Sequence, residues 1–122
     1  MTPRSFRIPD YLDHIVKAID RIEKYTKDIS KLDFLTNELI QDAVVRNFEI
    51  IGEAAHSIEI DDPDFASRFP ELSIRKVYGM RNKLIHGCIT VDMEIVWATV
   101  QDALPELRTI VRGLQEKIKN PA

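Results

Sequence analysis

One cysteine, four glycines and no long apolar run leave this 122-residue chain few architectures. A single thiol, Cys88, excludes an internal disulfide framework, so an apolar core has to hold the fold. No stretch approaches the ~20 apolar residues of a membrane span. The opening Met-Thr-Pro-Arg-Ser-Phe-Arg also lacks the apolar segment of a secretory signal, so a cytoplasmic protein is expected. Glycine-rich phosphate loops and nucleophile elbows are missing, and His14, His56 and His86 stand at no metal-ligand spacing. Neither a metal nor a cofactor is implied. Cys88 lies near His86, but without an orienting third group the pair does not indicate thiolate catalysis.

What is present is the balance of an ordinary globular domain, 44% hydrophobic and 30% charged, read as one unit over 1–122. β-branched alternation is absent, while a period of 3.6 recurs through most of the chain, which predicts an all-α, four-to-five-helix up-down bundle. A first helix is expected from Pro9 or Asp10 to about Ile29, burying Leu12, Ile15, Val16, Ile19 and Ile22. A second follows Thr36 or Asn37 and runs to about Ile58, with Ile40, Ala43, Val44, Ile50, Ile51, Ala54 and Ile58 as its stripe. Residues 59–72 read as a loop with one short helical turn. A third helix spans about Ser73 to His86 and stops at Gly87; Thr90 or Asp92 caps a fourth, which Pro105 kinks or briefly breaks.

The second notable absence is local. Between Leu72 and Val91 there is no Asp or Glu, while Arg75, Lys76, Arg81 and Lys83 supply four cations beside His86, in a chain that as a whole carries 20 acidic against 17 basic side chains. Such a focused positive field suits an anion site better than a broad nucleic-acid-coating surface. On a helical wheel Arg81 falls amid Val77, Tyr78, Leu84 and Ile85, with Tyr78 therefore expected to be poorly accessible. A guanidinium in an apolar stripe needs a partner, so Arg81 is expected to be largely buried and to meet Asn47, Glu49 or Glu53 of the second helix, or to await an anion. Arg75, Gly79, Asn82 and His86 share the neighbouring edge, where the helix end favours a protonated imidazole.

The second helix offers complementary groups. Asn47 sits in its apolar stripe, and Arg46 and Glu53 lie two turns apart on one line, so one could bind phosphate while the other orients it or pairs with Arg81. Gly52 costs about 1 kcal/mol mid-helix relative to alanine, and with Ala54 and Ala55 beside it marks a close helix approach.

Three blocks carry a resemblance: Arg46 to Ala55 (RNFEIIGEAA), Tyr78 to Gly87 (YGMRNKLIHG) and Asp92 to Leu107 (DMEIVWATVQDALPEL). In order and spacing they resemble HEPN-domain proteins, specifically the HepT-like toxins, with Arg81 and His86 matching the Arg-x4-His signature. The resemblance implies the toxin of a type II toxin-antitoxin pair, a metal-independent ribonuclease acting on tRNA or mRNA as a homodimer. It also implies an antitoxin partner resembling the minimal nucleotidyltransferase MntA, which attaches AMP to a tyrosine two residues after the motif histidine. That position here is Cys88, so stable AMPylation there is not expected. Within this frame His86 would act as general acid/base and Arg81 would stabilise the phosphate. Asn82 would position phosphate or imidazole, and Lys83 and Arg46 would hold the flanking backbone. The other reading of the same residues is a non-catalytic module that binds a nucleotide or an acidic partner segment.

Overall fold

The computed structural model describes residues 7–86 and 90–120, with the side chains of His86 and Thr90 outside the description. Among these residues the chain is an all-α bundle of HEPN type with one minimal β pair. The first helix, α1 (Ile8–Thr26), has Pro9 in its first turn, where no amide donor is needed, and buries Leu12, Ile15, Val16, Ile19 and Ile22 as its periodicity predicts. It stops three residues earlier than expected, and Asp28 takes a left-handed backbone (φ 63°) in the turn that follows.

That turn delivers a helix the sequence reading missed, α2 (Lys31–Thr36). It is opened by a capping box in which Ser30 accepts from the Asp33 amide and Asp33 accepts from the Ser30 amide. Its one buried side chain, Phe34, lies 5.3 Å from the Trp97 ring. Asn37 then caps α3 (Glu38–Asp61), the longest helix, whose buried residues are Val44, Asn47, Phe48, Ile51, Gly52, Ala54, Ala55 and Ile58. Ile40, Ala43 and Ile50, expected on the stripe, are half-buried. The short turn expected between 59 and 72 is α4 (Phe65–Arg68).

Ser73 caps α5 (Ile74–Leu84) by accepting from the Lys76 amide. Here the sequence expectation needs correction: α5 ends at Leu84, two residues short of His86, because Ile85 leaves the helix at φ −117°, ψ 91°. Ile85–His86 (β1) and Thr90–Val91 (β2) then pair antiparallel, Ile85 with Val91 and His86 with Thr90. Gly87 and Cys88, between the strands, lie outside the described residues. Asp92 caps α6 (Met93–Gln101) with bonds from two amides, Glu94 and Ile95. The break before α7 (Ala103–Lys119) places Pro105 within that helix's first turn, where its missing N–H costs no intrahelical bond.

α3 is the spine, packed against α1 on one side and α5 on the other, while α1 also receives α7. Tyr11 near the start of α1 donates to Asp61 at the end of α3 (2.6 Å), so these two helices run antiparallel. The core joining α1, α3 and α7 has Ile15, Ile19, Ile22, Ile51, Ile58 and Leu104 fully buried beside the ring of Phe48, each contributing about 1.5–3 kcal/mol. No helix among the described residues is long and apolar enough to cross a membrane.

Candidate functional site

The seam between α3 and α5 is set by a glycine. A Cβ on Gly52 would lie 2.7 Å from Arg81 Cγ and 3.0 Å from Arg81 Cβ, so the absence of a side chain at 52 is what lets the Arg81 stem lie across α3. The mid-helix glycine read from sequence as a close approach is one, and the group it admits is the arginine.

This contact also corrects the expectation for Arg81. The side chain is half-buried rather than largely buried, and its Nη1 donates to Asn82 Oδ1 on its own helix at 3.0 Å, with no hydrogen bond or ion pair to Asn47, Glu49 or Glu53. The wheel placed Arg81 correctly toward α3. It could not foresee that the methylenes would fill the notch over Gly52 while the guanidinium bonded Asn82 on its own helix, the usual compromise of a long cationic side chain at an apolar seam.

Tyr78 is the second correction. It is 38% exposed, not sheltered, and its ring stacks on His56 of α3 with centroids 5.3 Å apart and planes inclined by 29°. The reason is rotational. The buried side chains of α5 are Ile74, Val77 and Leu84, a stripe whose centre is roughly 90° from Tyr78 at about 100° per residue. The pairs Gly52 with Arg81 and His56 with Tyr78 also show that α5 runs antiparallel to α3.

Asn47, by contrast, is where the pattern put it, 5% exposed. Its Nδ2 donates to the Ala43 carbonyl one turn back (2.8 Å), which leaves Oδ1 buried without a partner among the described residues. An unsatisfied buried acceptor costs about 1–3 kcal/mol and calls for an explanation. Five residues from Gly52, Asn47 lies roughly 140° around α3 from the notch that holds Arg81, so it does not sit opposite Arg81. Arg46, Glu53, Asn82 and Lys83 are all exposed.

Electrostatically, Arg46, Arg75, Lys76, Arg81 and Lys83 form no ion pair among the described residues. Surface cations are often unpaired, and Arg21 and Lys27 are too. Arg81 differs because its stem is fixed by packing, so its charge is held in one place. His86, in β1, has left the helix on which it and Arg81 would point roughly 140° apart. Sequence reasoning missed His56 and the accessible face of Tyr78. The available signal was Tyr78 lying three residues from Arg81, hence a helical neighbour of it. Among the described residues no group of three His, Cys, Asp or Glu gathers as a metal-binding cluster.

Together these features define a small helical-bundle protein with a fixed, uncompensated guanidinium on one helix seam and the motif histidine on the strand that follows. The sequence pattern described as Ribonuclease HepT-like matches residues 15–114, and the chain belongs to that family. It is 42% identical over 110 residues to the probable ribonuclease HepT of Thermococcus cleftensis, an alignment that covers 90% of this chain and 94% of the relative. Two further relatives carry the name "Putative RNase". One, from Methanocaldococcus jannaschii, is 35% identical over 90% of this chain and 96% of its own length. The other, from Caldanaerobacter subterraneus subsp. tengcongensis, is 33% identical over 97% and 98%. No solved structure shows a significant match to the chain.

Proposed function

We propose that this protein is a metal-independent endoribonuclease of the toxin type, cutting tRNA or mRNA with Arg81 and His86 as its reacting groups. The observation that carries the reading is the Arg81 guanidinium, fixed over Gly52 and free of any carboxylate among the described residues. RNA supplies its own nucleophile. His86 takes the proton of the 2′-hydroxyl as that oxygen attacks phosphorus, and the proton is returned to the departing 5′-oxygen. Arg81 stabilises the charge that develops on the phosphoryl oxygens, and its bond to Asn82 aims the guanidinium. Lys83 and Arg46, both exposed, hold flanking phosphates, and Glu53 limits how far the strand spreads along α3.

Two copies of the chain meeting at this seam would line a channel for a nucleic-acid strand, so a homodimer belongs to the reading; sedimentation at micromolar concentration tests it. An MntA-like nucleotidyltransferase is the antitoxin partner proposed. With a thiol at position 88, stable AMP addition there requires Cys88→Tyr, read by intact mass; equal AMP incorporation into both proteins would refute this.

The central test is incubation of the purified protein with total tRNA in EDTA, beside His86→Ala. Cleavage by the wild type and none by the variant is expected. Cleavage that persists in the variant would remove His86 from the chemistry, cleavage lost in EDTA would remove metal independence, and RNA bound but left intact would favour the non-catalytic binding module.

A further inference from the structure

We infer that the stacked His56–Tyr78 pair is a platform for one nucleobase of the RNA, placed one helical turn from the phosphate-binding guanidinium. The inference rests on the ribonuclease reading and adds a contact that the Arg-x4-His motif does not contain.

Three observations carry it. First, Tyr78 keeps 38% of its surface exposed even though His56 lies against its ring, so aromatic surface remains open to solvent beside the stack. Second, Tyr78 and Arg81 are three residues apart on α5, with Asn82 four from Tyr78, and residues at these spacings are surface neighbours about 5–6 Å apart at Cβ. A nucleotide presents its phosphate and its base at a comparable separation, so a guanidinium and an aromatic ring at one turn can engage both ends of the same unit. Third, every charged side chain of α5 is a cation, namely Arg75, Lys76, Arg81 and Lys83. Glu53 and Glu59, each three residues from His56 on α3, are exposed and carry the opposite charge.

The chemistry favours a base over other occupants. Stacking accepts any base, since each has a π face, and pairing a ring with a nearby cation is how single strands are held without sequence readout. The ring also already has a neighbour across the seam. His56 of α3 lies against it with ring centroids 5.3 Å apart, so binding costs less side-chain freedom than an isolated surface tyrosine would lose. Sequence tolerance with a marked preference for single-stranded over duplex RNA follows, because a paired base cannot leave its stack to reach the ring.

The test uses the full chain carrying His86→Ala, so that RNA stays intact, and measures anisotropy of a labelled single-stranded RNA of mixed sequence. A parallel set carries one abasic residue at successive positions. Tyr78→Ala is expected to weaken binding about tenfold, the effect of losing one stacked base, and Tyr78→Phe to restore it. In the parent one abasic position should weaken binding by a similar factor, and in Tyr78→Ala that penalty should vanish. A purely structural stack would lower affinity for all probes equally and leave the abasic penalty in place, which overturns the platform. Equal affinity of Tyr78→Ala and parent overturns it as well. Base-dependent binding with no cleavage by the His86-containing protein would sink the ribonuclease reading while the platform stands. No binding of RNA by the parent would overturn both.

Discussion

The α1–α7 seam and the α3–α5 seam are both crossed by arginines, and they treat them in opposite ways. On the first, Arg108 donates to Asp20 at 2.9 Å with Glu23 at 3.9 Å, and Arg112 lies 3.8 Å from Asp20. The hydrogen bond to Asp20 holds the Arg108 guanidinium more firmly protonated than usual. On the second seam Arg81 is equally held in place, but by packing over Gly52, and its side-chain bond goes to the neutral amide of Asn82. A cation already answered by a carboxylate belongs to the fold. One positioned without such an answer is the cation the proposed function assigns to a phosphate, and the two seams let that assignment be tested within one small bundle.

Exchanging the fates of the two arginines is the sharpest test. Arg81→Ala should lower RNA cleavage about 10²–10³-fold, the effect of removing one preorganised donor to a developing oxyanion. Arg108→Ala should leave cleavage unchanged and cost about 0.2–1 kcal/mol, because the pair is partly exposed and screened by solvent. Cleavage rates with parallel thermal melts decide it. If Arg108→Ala proved the more damaging to cleavage, the contrast would collapse.

Gly52→Ala is expected next in size. The alanine gains about 1 kcal/mol of helix propensity, but its Cβ would sit 2.7 Å from Arg81 Cγ, so either the stem or α5 must move. A displacement of this kind lowers cleavage by about 10–100-fold with little change in melting temperature. Undiminished cleavage would show that the Arg81 position is not critical.

Asn47→Leu should separate stability from function in the other direction. Replacing a buried amide whose oxygen has no partner with a side chain of similar size should leave the melting temperature unchanged or raise it. Cleavage should be unchanged, because Asn47 points roughly 140° away from the Gly52 notch over which Arg81 lies. A large loss of stability would instead mean that the amide is a structural group.

The smallest effect is expected far from both seams, at the Tyr11–Asp61 bond. The carboxylate accepting from the phenol raises the Tyr11 pKa above its ordinary value near 10. The neutral phenol is thus the form the fold favours, and its contribution is complete below pH 10 and lost as pH rises through the folded value. Tyr11→Phe should cost about 1 kcal/mol at neutral pH, and the gap from wild type should close under alkaline conditions in urea melts. A gap independent of pH would assign the effect to packing.

Much of the fold could be read from local chemistry. The α1 stripe, the caps at Asn37, Ser73 and Asp92, and the break associated with Pro105 all follow from side chains acting within a turn of themselves. α2 was missed although its Ser30–Asp33 box is also local, because six residues are too few to display a period. At the site, Gly52, Arg81 and the buried Asn47 were legible as residues out of character with their surroundings.

What sequence alone determined, then, was helix identity, the acid-free cationic stretch and the family to which those motifs belong, since each is written in residues near one another along the chain. Tertiary structure decided the rotation of α5 about its axis. That rotation exposes Tyr78, stacks it on His56 and lays the Arg81 stem over Gly52, while the extended backbone of Ile85 ends the helix before His86. A helical wheel gives angles within one helix. Only packing against a second helix, here through the notch at Gly52, fixes which of those angles faces inward.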